Sequence, residues 1–491
     1  MEPMRRESST GWWLAFWAAF AAALLFRLVD LGVRPLHHDE GVNAWMVWKF
    51  LRGEPYRYDP HNFHGPFLFF YAWLPLRLFA PTDTLLRLLV APVSALMVPL
   101  LLPLRRRLGV AGITGAAWLL AVSPSFVFYG RDLIHETFLA FFTLAMIVCG
   151  SLYAETRRER WLLAAAVCLG LLPTIKETFV LTLATLAVAG LLAWFWIDRR
   201  PGEDPVTPVW IAPRTLALAV VLAAAVYVLF FSSFFTNLRG LVDSLRGLLL
   251  WTKRGVGGDG HQKPWYYFPE LLAKFEPAIA FGALAGGWLA LRRRDGFGVL
   301  CAFWAAGQLV LYSAIPYKTP WLVLNLLVPA VLVGGVFCRE LAKAPWRRVA
   351  LPALLAFLLV GTGFSVWRAV QTSFLRYDDD SLMIVYVPTM REVRGLVAQV
   401  EEEMGRVPPG RRGRLRIYLP YSWPLSWYFR DIPGLGVWNE VPDKPDGDVL
   451  IVEGSQEPKL KSLLRQRYAR RDSMLRPRTP IVLYVKERPR G

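Results

Sequence analysis

The chain has 491 residues, of which 55% are hydrophobic and 14% aromatic, with a mean hydropathy of +0.35; this is more apolar than an ordinary soluble enzyme and excludes that class. The net charge of +18 does not point to nucleic acid, because Lys and Arg fall in short clusters between apolar spans, such as Arg105 to Arg107 and Arg292 to Arg294, where they act as cytoplasmic topology signals and lipid-headgroup contacts. The four cysteines, Cys149, Cys168, Cys301 and Cys338, sit in or beside apolar segments without metal-ligand spacing and imply no disulfide framework.

Taken in chain order, apolar segments predict spanning helices at 12–30, 83–104, 110–128, 134–153, 161–173, 178–197, 213–235, 277–292, 296–314, 321–338 and 348–369. That makes about 11 spans, an odd number, so the termini are expected on opposite sides of a plasma membrane, the N-terminus cytoplasmic. The first run, Trp12 to Leu28, follows Arg5 and Arg6 without a small-residue cleavage site and reads as a retained span. One set of loops is short and basic: Arg105 to Arg107, Glu155 to Arg160, Asp198 to Arg214, Arg292 to Asp295 and Arg339 to Arg348. These are assigned to the cytoplasm. The other set comprises 31–82, Tyr129 to Glu136, Thr174 to Thr178, 236–276, Pro316 to Pro320 and the tail from 371; it carries all six histidines, His37, His38, His61, His64, His135 and His261.

Within the first outer loop, Glu40 to Leu51 is too polar to span, and its Trp45, Trp48 and Lys49 suit the headgroup layer. Gly65 to Ala80 is short, contains Pro66 and Pro75 and carries Arg77, so it reads as an interfacial or re-entrant helix. From Gln371 the composition turns soluble. Strand-like runs at Leu382 to Val387, Leu415 to Leu419, Val449 to Val452 and Ile481 to Val485 alternate with helical stretches beginning near Thr389 and Ser455. The expected organisation is therefore a membrane all-α, multispanning bundle over 1–370, with interfacial helices in its first outer loop, and a small extracytoplasmic α/β domain over 371–491. No GxGxxG follows a strand in the tail, which leaves nucleotide binding there unsupported.

Five polar constellations stand at the outer ends of spans. Asp39 and Glu40 follow His37 and His38 directly after the first span, with His61, Asn62 and His64 further along the same loop. Ionisable groups at the mouth of an apolar span are costly and mark a candidate site. The carboxylates can serve as a general base and its partner or as metal ligands, or Asp39 can simply cap a helix. In Tyr129-Gly130-Arg131-Asp132 with His135 and Glu136, Arg131 can grip a phosphate and the acids or histidine can ligate a metal, unless the turn is only an interfacial ion pair. Thr174-Ile175-Lys176-Glu177 places a cation on the side that topology signals avoid. Gly260-His261-Gln262-Lys263-Pro264-Trp265-Tyr266-Tyr267 offers phosphate-gripping groups and aromatics that stack on a sugar or populate the interfacial belt. Pro316-Tyr317-Lys318-Thr319-Pro320 supplies a further lysine, or a membrane anchor. Together, outer cations opposite outer acids suit an anionic lipid-linked substrate and a nucleophile that needs deprotonation.

These motifs, in this order, resemble the C superfamily of glycosyltransferases (GT-C), membrane enzymes that use polyprenyl-phosphate sugars. The acidic pair Asp39-Glu40, Tyr58-Asp59-Pro60 followed by His64-Gly65-Pro66, the Arg and acid turn after the third span, Lys176 after the fifth, and the His-x-x-Pro-Trp-Tyr-Tyr box are similar to those of protein mannosyltransferase and aminoarabinose transferase relatives. More narrowly, the chain is similar to a prokaryotic group described as flippase-activity-associated protein in archaeal N-glycosylation. The resemblance implies a GT-C-like helical bundle, a polyprenyl-phosphate-linked sugar donor, a lipid, glycan or protein acceptor, and contact with membrane lipids but not nucleic acid. It implies that Asp39 deprotonates the acceptor, that Glu40 supports it or binds the donor, and that Arg131, Lys176 and His261 contact the carrier phosphate. His38, His64, Asp132 and Lys318 join the substrate-binding set, with Trp265 and Tyr266 as sugar or lipid contacts. No DxD-type metal pair stands in the second outer loop, where Arg131-Asp132 is found. No cofactor is therefore expected to be required; a divalent metal ion would draw on Asp39, His135, Glu136 and His261. The alternative expectation is a non-enzymatic, flippase-associated protein that binds or transports lipid-linked oligosaccharide with the same cations and no base.

Overall fold

In the computed structural model, residues 9–198, 211–256, 261–343, 347–407 and 413–487 are described. The helix Val323–Lys343 is apolar around most of its circumference and is buried along nearly its whole length. Pro277–Arg293, Arg105–Val122, Gly296–Ala314 and Arg347–Val370 pack around it. Small residues set these approaches: a Cβ on Gly115 would overlap Cys338, and one on Gly286 would overlap the Val333 backbone. Close backbone contact of this kind supplies packing energy where lipid removes the usual hydrophobic drive between helices. Around this centre, Ser9–Leu28 leans on Arg105–Val122, His135–Thr156 pairs with Glu159–Ile175, which pairs with Pro213–Phe231, and Phe179–Asp198 lies along Gly296–Ala314.

Among the described residues, 8 helical stretches are long and apolar enough to cross a membrane, and the chain is a multi-pass membrane protein. Two 17-residue apolar helices, Glu159–Ile175 and Pro277–Arg293, stand in the same bundle. The stretch 83–104 differs from the single span expected of it. It breaks into Asp83–Leu88, Ala91–Leu96 and a 3-10 turn, Pro99–Leu104, before running into Arg105–Val122, because Pro92, Pro99 and Pro103 cannot donate to a regular helical ladder. Within 31–82, His38–Leu51 and Phe67–Leu78 form two short helices. Part of the basic stretch 198–214 lies outside the described residues.

The tail builds a five-stranded sheet from β1 (Leu415–Tyr418), β2 (Gly436–Trp438), β3 (Val449–Glu453), β4 (Tyr468–Arg476) and β5 (Thr479–Lys486), in the order β2-β1-β3-β5-β4. The β2-β1-β3 half is parallel, and β5 runs antiparallel to both β3 and β4. Alternation along the strands sends Leu415, Ile417, Val449, Ile451 and Leu483 to the face covered by helix Val393–Gly405, and Tyr418, Leu450, Val452 and Tyr484 to the face covered by Glu457–Leu463. The run Leu382 to Val387 is not a strand. Its Leu382, Ile384 and Val385 join the core of the membrane bundle, and the Tyr129 hydroxyl donates to the Ile384 carbonyl at 2.7 Å. A short apolar run carries no signal that separates these uses.

Contacts from this tail reach the start of helix His38–Leu51. Tyr428 accepts from the Leu36 amide at 2.8 Å and donates to Asp83 at 2.9 Å, and the Thr389 hydroxyl donates to the Leu36 carbonyl at 2.7 Å. Gly41 lies so close under Pro424 that a Cβ there would stand 3.0 Å from it.

Candidate active site

The helix His38–Leu51 begins in a capping box. His37 Nδ1 accepts from the Asp39 amide at 3.1 Å, and Glu40 Oε2 accepts from the His37 amide at 2.9 Å. The cap is thus His37, not Asp39, which frees the Asp39 carboxylate from capping. Glu40 is fully buried and takes both Arg87 Nε, at 2.9 Å, and Arg87 Nη2, at 2.7 Å, as well as the Leu133 amide at 3.2 Å. Arg87 spends its remaining donors on the carbonyls of Leu31, Arg34 and Pro35. The segment entering the His37 turn is therefore held by one guanidinium, and Glu40 is its counter-ion.

A second framework presents the lysine. Gly65 donates its amide to the Ile175 carbonyl at 3.1 Å, and a Cβ on Gly65 would collide with Thr174. This close approach sets His64 beside Lys176 and Glu177. His64 Nδ1 donates to Glu177 Oε2 at 2.9 Å, and Lys176 Nζ forms a buried ion pair with Glu136. The His64 and His135 rings lie 4.9 Å apart.

A third framework comes from two loops zipped together. Gln262 and Tyr317 form a β-bridge, with Lys263 N donating to the Pro316 carbonyl and Lys318 N to the His261 carbonyl, each at 3.0 Å. His261 Nδ1 meets the Tyr386 hydroxyl at 2.7 Å, and His37 Nε2 donates to the Tyr386 carbonyl at 3.1 Å. Arg476, at the end of β4, donates to His38 Nδ1 at 3.1 Å and to the carbonyls of Tyr421 and Trp423.

These frameworks enclose a cavity of about 580 Å³ lined by His37, His38, Asp39, Asn43, His61, His64, His135, Glu136, Lys176, Glu177, His261, Tyr312, Tyr317, Trp321, Tyr386, Tyr421 and Arg476, among others. All six histidines of the chain are on that wall. Burial alone would raise the Asp39 carboxyl, but His37, His38, His64 and Lys176 outweigh it and hold the group below the usual carboxylate value. Burial pushes His38 down to about 4, Asp39 opposing and Arg476 and His37 assisting. Burial would likewise lower Lys176, yet Glu136 and Glu177 raise it, so the lysine stays a cation. The wall thus combines an ionised carboxylate, a neutral imidazole that already accepts a hydrogen bond, and a fixed lysine.

Several expected site residues lie elsewhere. Glu40 is the buried counter-ion of Arg87. Arg131 binds the carbonyls of Phe26, Val29 and Asp30 at 2.9, 2.6 and 2.7 Å, closing the end of the first helix rather than meeting a phosphate. Asp132 is paired with Arg34. Lys318 turns its ammonium to the carbonyls of Lys263 and Ile315. Trp265 and Tyr266 are exposed and off the cavity wall. The residues proposed as metal ligands do not form a ligand set: Glu136 is spent on Lys176 and His261 faces Tyr386, and among the described residues no group of three or more His, Cys, Asp or Glu is gathered to hold a metal. Conversely, Tyr386, Tyr421 and Arg476 reach the wall from the tail, and no local spacing could have announced them.

The fold was compared with solved structures. ArnT from Cupriavidus metallidurans, bound to undecaprenyl phosphate, superimposes with a TM-score of 0.64 at 15% identity over 97% of this chain and 98% of that one. This is the GT-C fold. Arabinofuranosyltransferase AftD from mycobacteria shares it with a TM-score of 0.53 at 14% identity, covering 99% of this chain and 40% of that one. The Archaeoglobus fulgidus oligosaccharyltransferase shares it with a TM-score of 0.50 at 14% identity, over 86% and 64%. Residues 63–229 match the family model of dolichyl-phosphate-mannose-protein mannosyltransferase. No curated protein matches the chain by sequence. The GT-C resemblance carried by the motifs therefore agrees with the fold of the whole chain.

Proposed function

We propose that this protein is an integral-membrane glycosyltransferase that moves a sugar from a polyprenyl-phosphate-linked donor to an acceptor on the extracytoplasmic face, with Asp39 as general base. The observation that carries the reading is the convergence of Asp39, Lys176 and all six histidines on one cavity inside a GT-C fold. A donor dissolved in the bilayer reaches such a site laterally, and a phosphate leaving group gathers charge in the transition state, which Lys176 and His64 can meet. The acceptor hydroxyl loses its proton as the bond to the sugar forms, and Asp39, ionised and unencumbered by capping, can take it. The Lys176 charge is shared with Glu136, so it remains placed when no phosphate is bound. Arg131, whose Nη1 and Nη2 bind the carbonyls at the end of the first helix, and Lys318, whose ammonium binds two carbonyls, leave the proposed phosphate-binding set.

The test is turnover by purified protein in nanodiscs, supplied with a polyprenyl-phosphate sugar and candidate acceptors, read as release of free polyprenyl phosphate. Release that depends on Asp39 supports the reading. Transbilayer movement of the lipid without release overturns it in favour of a transport protein.

A further inference from the structure

The polar wall of the cavity has two ends of different origin. Lys176 and His64 come from segments joined to the membrane helices, Lys176 directly after Glu159–Ile175 and His64 just before Phe67–Leu78. Arg476 comes from the soluble sheet, as the last residue of β4. It is 6% exposed and therefore desolvated, and burying an arginine with unspent donors is costly. All three of its hydrogen bonds leave through Nη2, to His38 Nδ1 and to the Tyr421 and Trp423 carbonyls. Among the described residues its Nε is buried with no partner, although a guanidinium presents a planar fork suited to two oxygens. The neighbours that hold it are neutral: two carbonyls and an imidazole that accepts. Among the described residues no carboxylate forms an ion pair with Arg476; Asp39 acts on it through its field without direct contact, unlike the direct pairing of Lys176 with Glu136.

We propose that Arg476, oriented by His38, forms an oxyanion subsite at the soluble-domain end of the cavity, which holds a phosphate or carboxylate of the acceptor while the carrier phosphate sits at the Lys176 end. This rests on the glycosyltransferase reading above. The soluble domain is then a component of the site, and the acceptor class is anionic. The same oxyanion chemistry is offered by the carrier lipid, and the two sources are separable by experiment. A bare counter-ion role toward the nearby Asp39 would need no unspent donors.

The test uses full-length protein in nanodiscs with two probes, a polyprenyl phosphate alone and inorganic phosphate added at saturating polyprenyl phosphate. Arg476→Gln should weaken inorganic phosphate binding at least tenfold and change polyprenyl phosphate binding less than twofold. Arg476→Lys, which keeps the charge but loses the fork, should fall between, and both variants are checked for an unchanged thermal midpoint. If the variants bind inorganic phosphate as the wild type does, or the wild type binds none, the subsite is overturned. Loss of polyprenyl phosphate binding in Arg476→Gln with a preserved melt assigns Arg476 to the carrier and overturns the acceptor assignment. A wild type that binds inorganic phosphate but no polyprenyl phosphate instead sinks the underlying function, independently of Arg476.

Discussion

Asp39 is the residue on which the proposed chemistry turns, and its setting makes a sharp forecast possible. Because His37 caps the helix, Asp39→Asn removes a carboxylate without removing a cap. Sugar transfer should fall by about three orders of magnitude or more, the scale of losing a general base, while the thermal midpoint stays within a few degrees; full activity in that variant would exclude the residue as base. His38 gives a second forecast. Its folded pKa of about 4 lies below the ordinary 6.5, so the unfolded chain binds the extra proton between those values. The stability this contributes is complete above about pH 6.5 and is lost as pH falls toward about 4, on the order of 3 kcal/mol in all. Melts in detergent from pH 7 to 4.5 should therefore fall more steeply for the wild type than for His38→Gln; parallel curves would contradict the buried neutral imidazole. Asp39, Lys176 and the histidines were legible as candidates because ionisable residues beside an apolar span are costly to keep there, although a helix cap was an equal reading of Asp39 until His37 was seen to hold that place. The roles of Glu40, Arg131 and Lys318 were not, since a charge that grips a ligand and one that grips backbone carbonyls look identical until the carbonyls are placed.

At the scale of elements, the site depends on short polar segments wedged between helices, each fixed by one buried interaction. Glu40 and Arg87 form such a wedge under the His37 turn. Removing one partner of a buried pair typically costs about 3–5 kcal/mol, so Glu40→Gln should lower the thermal midpoint and cut kcat more than it raises KM, because it loosens the position of Asp39 rather than a contact to substrate. An unchanged kcat in a destabilised Glu40→Gln protein would leave Glu40 with a structural role only. Gly65 is the corresponding wedge for Lys176: Gly65→Ala forces its loop away from Thr174 and should reduce turnover about tenfold or more while leaving most of the fold, as assayed by turnover beside size-exclusion behaviour. The long apolar helices were readable because length and apolarity are additive along a sequence; among the described residues 8 stretches, not 11, are long and apolar enough to cross a membrane. The broken passage 83–104 was not, because its prolines distort locally without ending the apolar run. The tail shows the same limit. β4 reads Tyr-Ala-Arg-Arg-Asp-Ser-Met-Leu-Arg, an edge strand with a solvated face, while the more strand-like Leu382 to Val387 is consumed by the bundle core.

At the scale of the whole molecule, charge is divided between two ends of the bundle. One end gathers the histidine-lined cavity and the five-stranded sheet. The other carries an ionic network in which Arg339 binds Asp295 at 2.8 Å and Glu340 at 2.7 Å, Arg293 binds Glu340 at 2.6 Å and Arg107 binds Glu155 at 2.7 Å. The excess of Arg in the short loops of that second end argues for the cytoplasm. A lipid-linked donor is needed where nucleotide sugars are not made, so the proposed reaction requires the cavity to face the opposite compartment. Ser462, exposed in Glu457–Leu463, and Arg157, exposed after His135–Thr156, report the two sides. With Cys149, Cys168, Cys301 and Cys338 replaced by Ser or Ala, a membrane-impermeant maleimide applied to intact cells should label Ser462→Cys and spare Arg157→Cys until the membrane is permeabilised. The reverse pattern would turn the cavity toward the cytoplasm, where a soluble nucleotide sugar is the available donor, and would remove the physical reason for a polyprenyl-phosphate carrier.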